Sequence, residues 1–265
     1  MLSFLIFFCP VSSYGQEKNC DAKTLESALE NIQPNMTATI QFANFSVIDG
    51  KREYKSEKTI RVFVKQVEGR FHILGKFSEP LNLRGTAFLS ISPPSVEIGN
   101  GDIPSNQYLI YLPAFSKVRR VAGSQRGDSF FGTEVSQGDM EIHPAGHYKV
   151  EMSSRVLLAG EDVCLIVVQP LFEAGYTKMF LYIGDDKAIL RYEQYRGVST
   201  SPSRVIYTKR DWLQTAGGLL LPSKLVAYRE SNNRQFGTEI RFIEREIDPI
   251  IDDSLFLTTE LLKRK

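Results

Sequence analysis

From Met36 onward, apolar residues recur at every second position for most of the chain, which is the pattern of strands with one buried face rather than of helices. Asp49-Gly50 and Glu68-Gly69 interrupt the pattern with two-residue turn chemistry, so the first long strands are expected to form hairpins. The second strand sets Ile60, Val62 and Val64 on one face. Its other face mixes Arg61 and Lys65 with Phe63, so both faces should be partly covered. Proline and glycine crowd the segment from Ser92 to Ser105, as in a loop. Further strands are read at Tyr148–Leu158, Val163–Val168, Thr177–Ile183, Ala188–Tyr195, Arg204–Thr208, Leu219–Tyr228 and Thr238–Glu244, with Gly184-Asp185-Asp186 turning one hairpin. Such a series can build a closed barrel, a sandwich or an open curved sheet, and periodicity does not choose among them.

The two ends break the pattern. Asp21 is placed to cap a helix carrying Leu25, Ala28, Leu29 and Ile32 on one stripe, with Pro34 to stop it. A short C-terminal helix is expected to start at Ser254 or Asp253 and to end at Lys263, Arg264 and Lys265, whose charges suit its dipole. A chain of 265 residues, 42% of them apolar, can bury a sizeable core. Without an internal repeat or long linker it reads as one domain over residues 16–265. Residues 1–15 combine an apolar run with small residues, which reads as a signal peptide cleaved before Gln16. Neither Cys9 nor Cys20 follows the small residue that a lipid-anchor site requires. Cys20 and Cys164 would then face an oxidising compartment; a disulfide between them, and burial of Cys164 as a small hydrophobe within VCLIVV, are both open. Asn35 and Asn44 begin short glycosylation triplets that carry weight only in a eukaryotic secretory pathway.

A formal net charge of +1 carries no signal for nucleic acid, which needs a strong excess of Lys and Arg on one face. No G-x-S-x-G, H-E-x-x-H, Walker or G-x-G-x-x-G motif is present. His143 and His147 stand four apart, but Pro144, Ala145 and Gly146 forbid a regular helix between them. A solvated turn is therefore expected there rather than a metal pair, even with Asp139 and Glu141 close by. Asp185 and Asp186 are explained by their turn. Neither catalysis, a cofactor nor a metal is read from the chain. Seventeen phenylalanines and eleven tyrosines exceed what such a core requires and would suit an apolar cavity.

The stretch from Tyr108 to Met140 is the most informative. Tyr108, Ile110 and Leu112 alternate with Leu109 and Tyr111, and Pro113 ends the pairing. Lys117, Arg119, Arg120 and Arg126 form a basic cluster, followed by Asp128, the pair Phe130-Phe131 and Gly132, which permits a tight turn. Three blocks, RG-x-AFL from Arg84, YLPA-x-x-KVRR from Tyr111 and R-x-DSF-x-GT-x-x-S-x-x-DM from Arg126, resemble the LolA-like outer-membrane lipoprotein-sorting proteins.

That resemblance implies a mainly β, α+β fold: a curved antiparallel half-barrel covered by an N-terminal helix, a short C-terminal helix and loops. It implies a periplasmic, non-catalytic, monomeric carrier of lipid or lipoprotein acyl chains, served by an inner-membrane transport complex and an outer-membrane acceptor. On this reading Ile60, Val62, Val64, Tyr108, Ile110, Leu112, Phe130, Phe131, Phe180 and Tyr182 line the cavity. The Phe130 loop is its gate, and Arg119, Arg120 and Arg126 meet anionic headgroups or latch the lid through Asp128 or Asp139. The rival readings are a lipid-sensing regulatory module of the RseB-like type, whose second domain this chain has no room for, and an unrecognised hydrolase.

Overall fold

The computed structural model describes residues 20–31, 35–93, 106–208, 212–214, 220–231 and 234–262. The expected signal peptide with its cleavage site, Ile32 and Pro34 at the helix end, most of the proline-glycine loop and Lys263–Lys265 lie outside them.

Strands β1 (Met36–Ile48), β2 (Lys51–Val67), β3 (Arg70–Glu79), β4 (Ala87–Ile91), β5 (Gln107–Leu112) and β6 (Lys117–Arg120) make one antiparallel meander. A second meander takes β7 (Tyr148–Leu158), β8 (Glu161–Pro170), β9 (Lys178–Ile183), β10 (Ile189–Tyr195) and β11 (Arg204–Thr208), then β14 (Lys224–Ser231) and β15 (Arg234–Ile247). Between β11 and β14, β12 (Trp212–Gln214) and β13 (Leu220–Pro222) pair as a separate ribbon. The two meanders join where β1 pairs with β15, giving a 13-stranded sheet with β6 and β7 at its free edges. Asp49, Gly50, Glu68 and Gly69 all take positive φ, as the twist of a two-residue hairpin demands.

The sheet is the open, curved half-barrel of the three candidates. Its inner face carries Ala38, Ile40 and Phe42 of β1, Ile60, Val62 and Val64 of β2, and Ile206, Ala227 and Ile240 from the second meander, all in one buried cluster. Helix α1 (Ala22–Asn31) lies over the inner face of β8 and β9, where Leu25, Ala28 and Leu29 pack on Ile166, Val168, Leu181 and Ile183. Asp21 caps it, its Oδ1 accepting from the Thr24 N–H at 3.1 Å. A disulfide joins Cys20, just before this helix, to Cys164 of β8 beneath it.

The C-terminal end departs from expectation in form and place. In place of an α-helix, two short 3₁₀ segments, Asp253–Phe256 and Thr258–Leu262, follow Asp252, whose side chain caps the first by accepting from the Ser254 N–H. They do not cover the open side. Ile251, Phe256 and Leu261 seal the outer face of β3 to β5 against Leu74, Leu89, Leu109 and Tyr111, which is why Phe63 on the mixed face of β2 is partly covered.

Candidate functional site

Residues 121–147 run from one free edge of the sheet to the other and fill the hollow on the way. Phe130 is fully buried there, its ring 5.8 Å from that of Phe42, 5.7 Å from Phe77 and 5.5 Å from Phe88. Val135 follows it into the same cluster. The turn that drives Phe130 inward places Phe131 at φ 49° and Gly132 at φ 76°. The first is a strained conformation for an aromatic residue, and the second is one that glycine takes without penalty. Phe131 stays half-buried at the rim, edge-on to Phe77 at 4.8 Å.

Polar contacts strap this plug to the sheet. The Asn44 amide donates to Gly132 O at 2.8 Å, and Glu134 N donates to Thr238 Oγ1 at 2.8 Å. Arg229 forks onto the Glu134 carboxylate. Asp139 accepts from Ser136 N and from Gln194 Nε2, both at 2.7 Å, with Arg204 3.6 Å away.

The basic residues separate into two groups. Arg119 and Arg120 are exposed on the edge strand and line a cleft of about 260 Å³ with Ile110, Leu112, Asp128 and Phe131. Arg126 is only 2% exposed, so in this form it cannot meet a headgroup. Its partner is neither Asp128 nor Asp139 but Glu141, gripped through Nη1 at 2.7 and 2.8 Å, while Nη2 donates to Asn106 O at 2.8 Å. Glu141 also faces His143 Nε2 at 3.3 Å. Burial pushes the Glu141 carboxyl up to about 8 against the opposing pull of Arg126.

His143 and His147 are not in a solvated turn. Both are buried, and the His143 ring stacks on Phe172 at 3.8 Å. Burial, reinforced by Arg126, pulls His143 down to about 3; burial and the neighbouring His143 pull His147 down to about 4. Both rings are therefore neutral at ordinary pH. Among the described residues, no group of three or more His, Cys, Asp or Glu is placed to hold a metal ion.

Beneath this latch lies a cavity of about 170 Å³, walled by Leu29 of α1, Phe172, Tyr176, Leu181 and Tyr192, with Arg126 and Asp139 at its polar side. Ligand pockets run from about 300 Å³ upward, so with the plug in place this cavity is too small for an acyl chain.

Of the residues expected to line the hollow, Ile60, Val62, Val64, Tyr108, Ile110 and Phe130 are buried in it, and Leu112 and Phe131 pack at its margin. Phe180 and Tyr182 are not in it. In β9 it is Met179, Leu181 and Ile183 that face inward, leaving Phe180 and Tyr182 on the outer face beneath Lys178 and Arg191. Phe42, Phe77 and Phe88, which seat the plug, went unnoticed in the sequence because each looks like an ordinary core phenylalanine.

Among solved structures, the chain is similar to a putative outer membrane lipoprotein-sorting protein domain from Vibrio parahaemolyticus, at 18% identity and TM-score 0.75, over 91% of this chain and 98% of that one. It is similar to a DUF1329 family protein from Desulfovibrio piger at 18% identity and TM-score 0.72, over 90% and 98% of the two chains. A LolA superfamily protein from Nitrosomonas europaea aligns at 17% identity and TM-score 0.64, over 90% and 97%. No curated protein matches the sequence significantly. Residues 70–264 match the model of a family described as "Uncharacterized protein". The plug, the latch and the strands of the second meander all fall within that match, so the chain belongs to this family and carries the LolA-like half-barrel fold.

Proposed function

We propose that this protein is a non-catalytic carrier that takes acyl chains of lipids or lipoproteins into the hollow now filled by its own loop, and that it is exported to the periplasm to move them towards the outer membrane. One observation carries the reading: Phe130 sits among Phe42, Phe77 and Phe88 as an apolar guest inside an apolar sheet, on a loop that also buries Val135 and is strapped to the sheet by hydrogen bonds and an ion pair. An acyl chain entering the hollow replaces that ring, and each methylene it buries contributes about 0.8 kcal/mol. The exposed Arg119 and Arg120, beside the cleft under Phe131, would hold an anionic headgroup at the mouth. A donor in the inner membrane and an acceptor in the outer membrane belong to the same proposal. The LolA-like neighbours support a carrier-like fold.

Since Phe130 competes for the site, Phe130→Ala should strengthen binding of a fluorescent fatty acid. Full burial of such a ring is worth about 1.5 to 3 kcal/mol, so the gain is about tenfold or more. If Phe130 is core and nothing else, the variant instead melts lower by an amount typical of Phe→Ala core changes, about 3 to 5 kcal/mol, and neither protein binds the probe. That second pattern would overturn the carrier reading.

A further inference from the structure

The outer face of the sheet holds a second concavity, on the opposite side from the hollow. Strand alternation turns Arg52 of β2, Arg191 of β10, Tyr207 of β11 and Tyr228 of β14 outward, and together with the neighbouring, half-exposed Arg229 they line a cleft of about 690 Å³ walled on one side by Pro202. This is well above the 170 Å³ of the interior cavity and within the usual range for small-ligand sites, about 300 to 1,000 Å³.

Its chemistry is one-sided. Among the described residues, three guanidinium groups line the cleft and no carboxylate does. The carboxylates sit behind the arginines and hold them in place. Glu239, 3% exposed, meets Arg52 at 3.1 Å, Arg241 at 2.6 Å and Lys224 at 3.6 Å. Burial works to raise the Glu239 carboxyl, but these three cations outweigh it and hold it below the usual range. Glu193 pairs with Arg191, and Glu134 takes both forks of Arg229. Counting Glu57, 3.9 Å from Arg241, five cations stand against four carboxylates, and the arginines rather than the acids face the cleft.

The tyrosines orient the fork groups. Arg191 lies 4.8 Å from the Tyr207 ring centroid, and Arg52 lies 4.5 Å from Phe45 and 5.7 Å from Tyr228. Stacking of this kind fixes the plane of a guanidinium while leaving its edge donors for a ligand. Among the described residues, Arg191 Nε is buried and has no acceptor within reach, and a bound oxyanion would supply one.

We propose that this outer cleft is a second ligand site, one that takes a phosphate monoester. Three arginines around one space match three terminal oxygens better than the two of a carboxylate, and the tyrosine walls accept the apolar or planar group attached to the ester. Both the headgroup of a phosphatidic acid and a soluble phosphate ester present this chemistry. Of the residues lining the site, Arg229 also straps the plug through Glu134, whereas Arg191 touches neither plug nor hollow, so its variant tests the site independently of the carrier reading.

The test is calorimetric titration of the full chain with glycerol 3-phosphate, a probe without acyl chains. Saturable one-site binding is expected, weakened about tenfold in Arg191→Gln and in Arg229→Gln, and unchanged in Arg119→Gln/Arg120→Gln. Arg229 is the half-exposed member of the trio, so its variant keeps the test valid if loss of Arg191 disturbs folding, which thermal melting of each variant monitors. Co-sedimentation with vesicles of phosphatidylcholine containing phosphatidic acid then separates the sources: binding to vesicles as well as to glycerol 3-phosphate identifies a headgroup, and binding to the soluble ester alone identifies a free metabolite. Absence of saturable binding, or equal affinity in the wild type and in folded Arg191 and Arg229 variants, would overturn the proposal.

Discussion

At the level of single residues, the centre of the molecule is a hydrogen-bonded pair that water does not reach. The side chains of Arg126 and Glu141 are 2% and 0% exposed, so removing either leaves the other buried without its partner. Such a loss typically costs about 3 to 5 kcal/mol, whereas replacing both partners by apolar residues is often near neutral. Arg126→Met should therefore lower the denaturation midpoint strongly, and Arg126→Met/Glu141→Leu should recover most of it; urea titration of the three proteins checks this, and equal losses in single and double variants would count against the latch. The neighbouring His143 makes a second prediction. Its folded-state value of about 3 lies below the ordinary 6.5, so the unfolded chain binds the extra proton first as pH falls. The stability it contributes is complete above 6.5 and declines towards 3, by up to about 1.4 kcal/mol per pH unit. Glu141, held high at about 8, slopes the other way, so the effect must be read as a difference. Between pH 7.5 and 5, wild type should lose a few degrees of melting temperature relative to His143→Phe. Parallel melting curves across that range would show that the histidine does not titrate on unfolding.

Among the elements, α1 is the one that cannot stand alone. Ten residues are too few for a stable isolated helix in water. It is held by Leu25, Ala28 and Leu29 against the sheet and by the disulfide to Cys164 across a sequence separation of 144. Closing a loop of that length is worth about 4 to 5 kcal/mol on the chain-entropy model, so melting in reductant should fall by several degrees while the fluorescence of a hollow-bound probe changes little. Unaltered melting, or two free thiols by titration, would remove the bond from the account. The strands themselves were largely readable, because alternation and the turns at Asp49-Gly50 and Glu68-Gly69 are local signals. Which parity faces inward was not. The run from Met179 to Ile183 is apolar at both parities, and Phe180 and Tyr182 lie outside, where Lys178 and Arg191 cover their rings. The C-terminal segment was misplaced for a related reason: its amphipathic character says that it covers something, and only the outer cluster around Leu109 and Tyr111 says what.

For the molecule as a whole, the hollow was more legible than its lock. Tyr108, Ile110 and Phe130 could be picked out from one stretch of chain, but the pairing of Arg126 with Glu141 depends on how residues fifteen apart fold back on each other, and no local pattern encodes that. The outer arginines were equally hidden, since Arg52, Arg191 and Arg229 come from three distant strands. What joins the two free edges is worth considering as a polymer. Residues 121–147 have a contour length of about 90 Å at roughly 3.3–3.6 Å per residue. A compact fold of 265 residues has a radius of gyration of only about 18 Å. Fully extended, the connection would be about five times that radius, so much of its length goes into folding back through the hollow. On the proposed carrier reading, that spare length lets Phe130 and Val135 leave the hollow without bending the sheet, at the cost of their apolar contacts and of the straps to Asn44, Thr238 and Arg229, while the Arg126–Glu141 pair stays in place as the anchor.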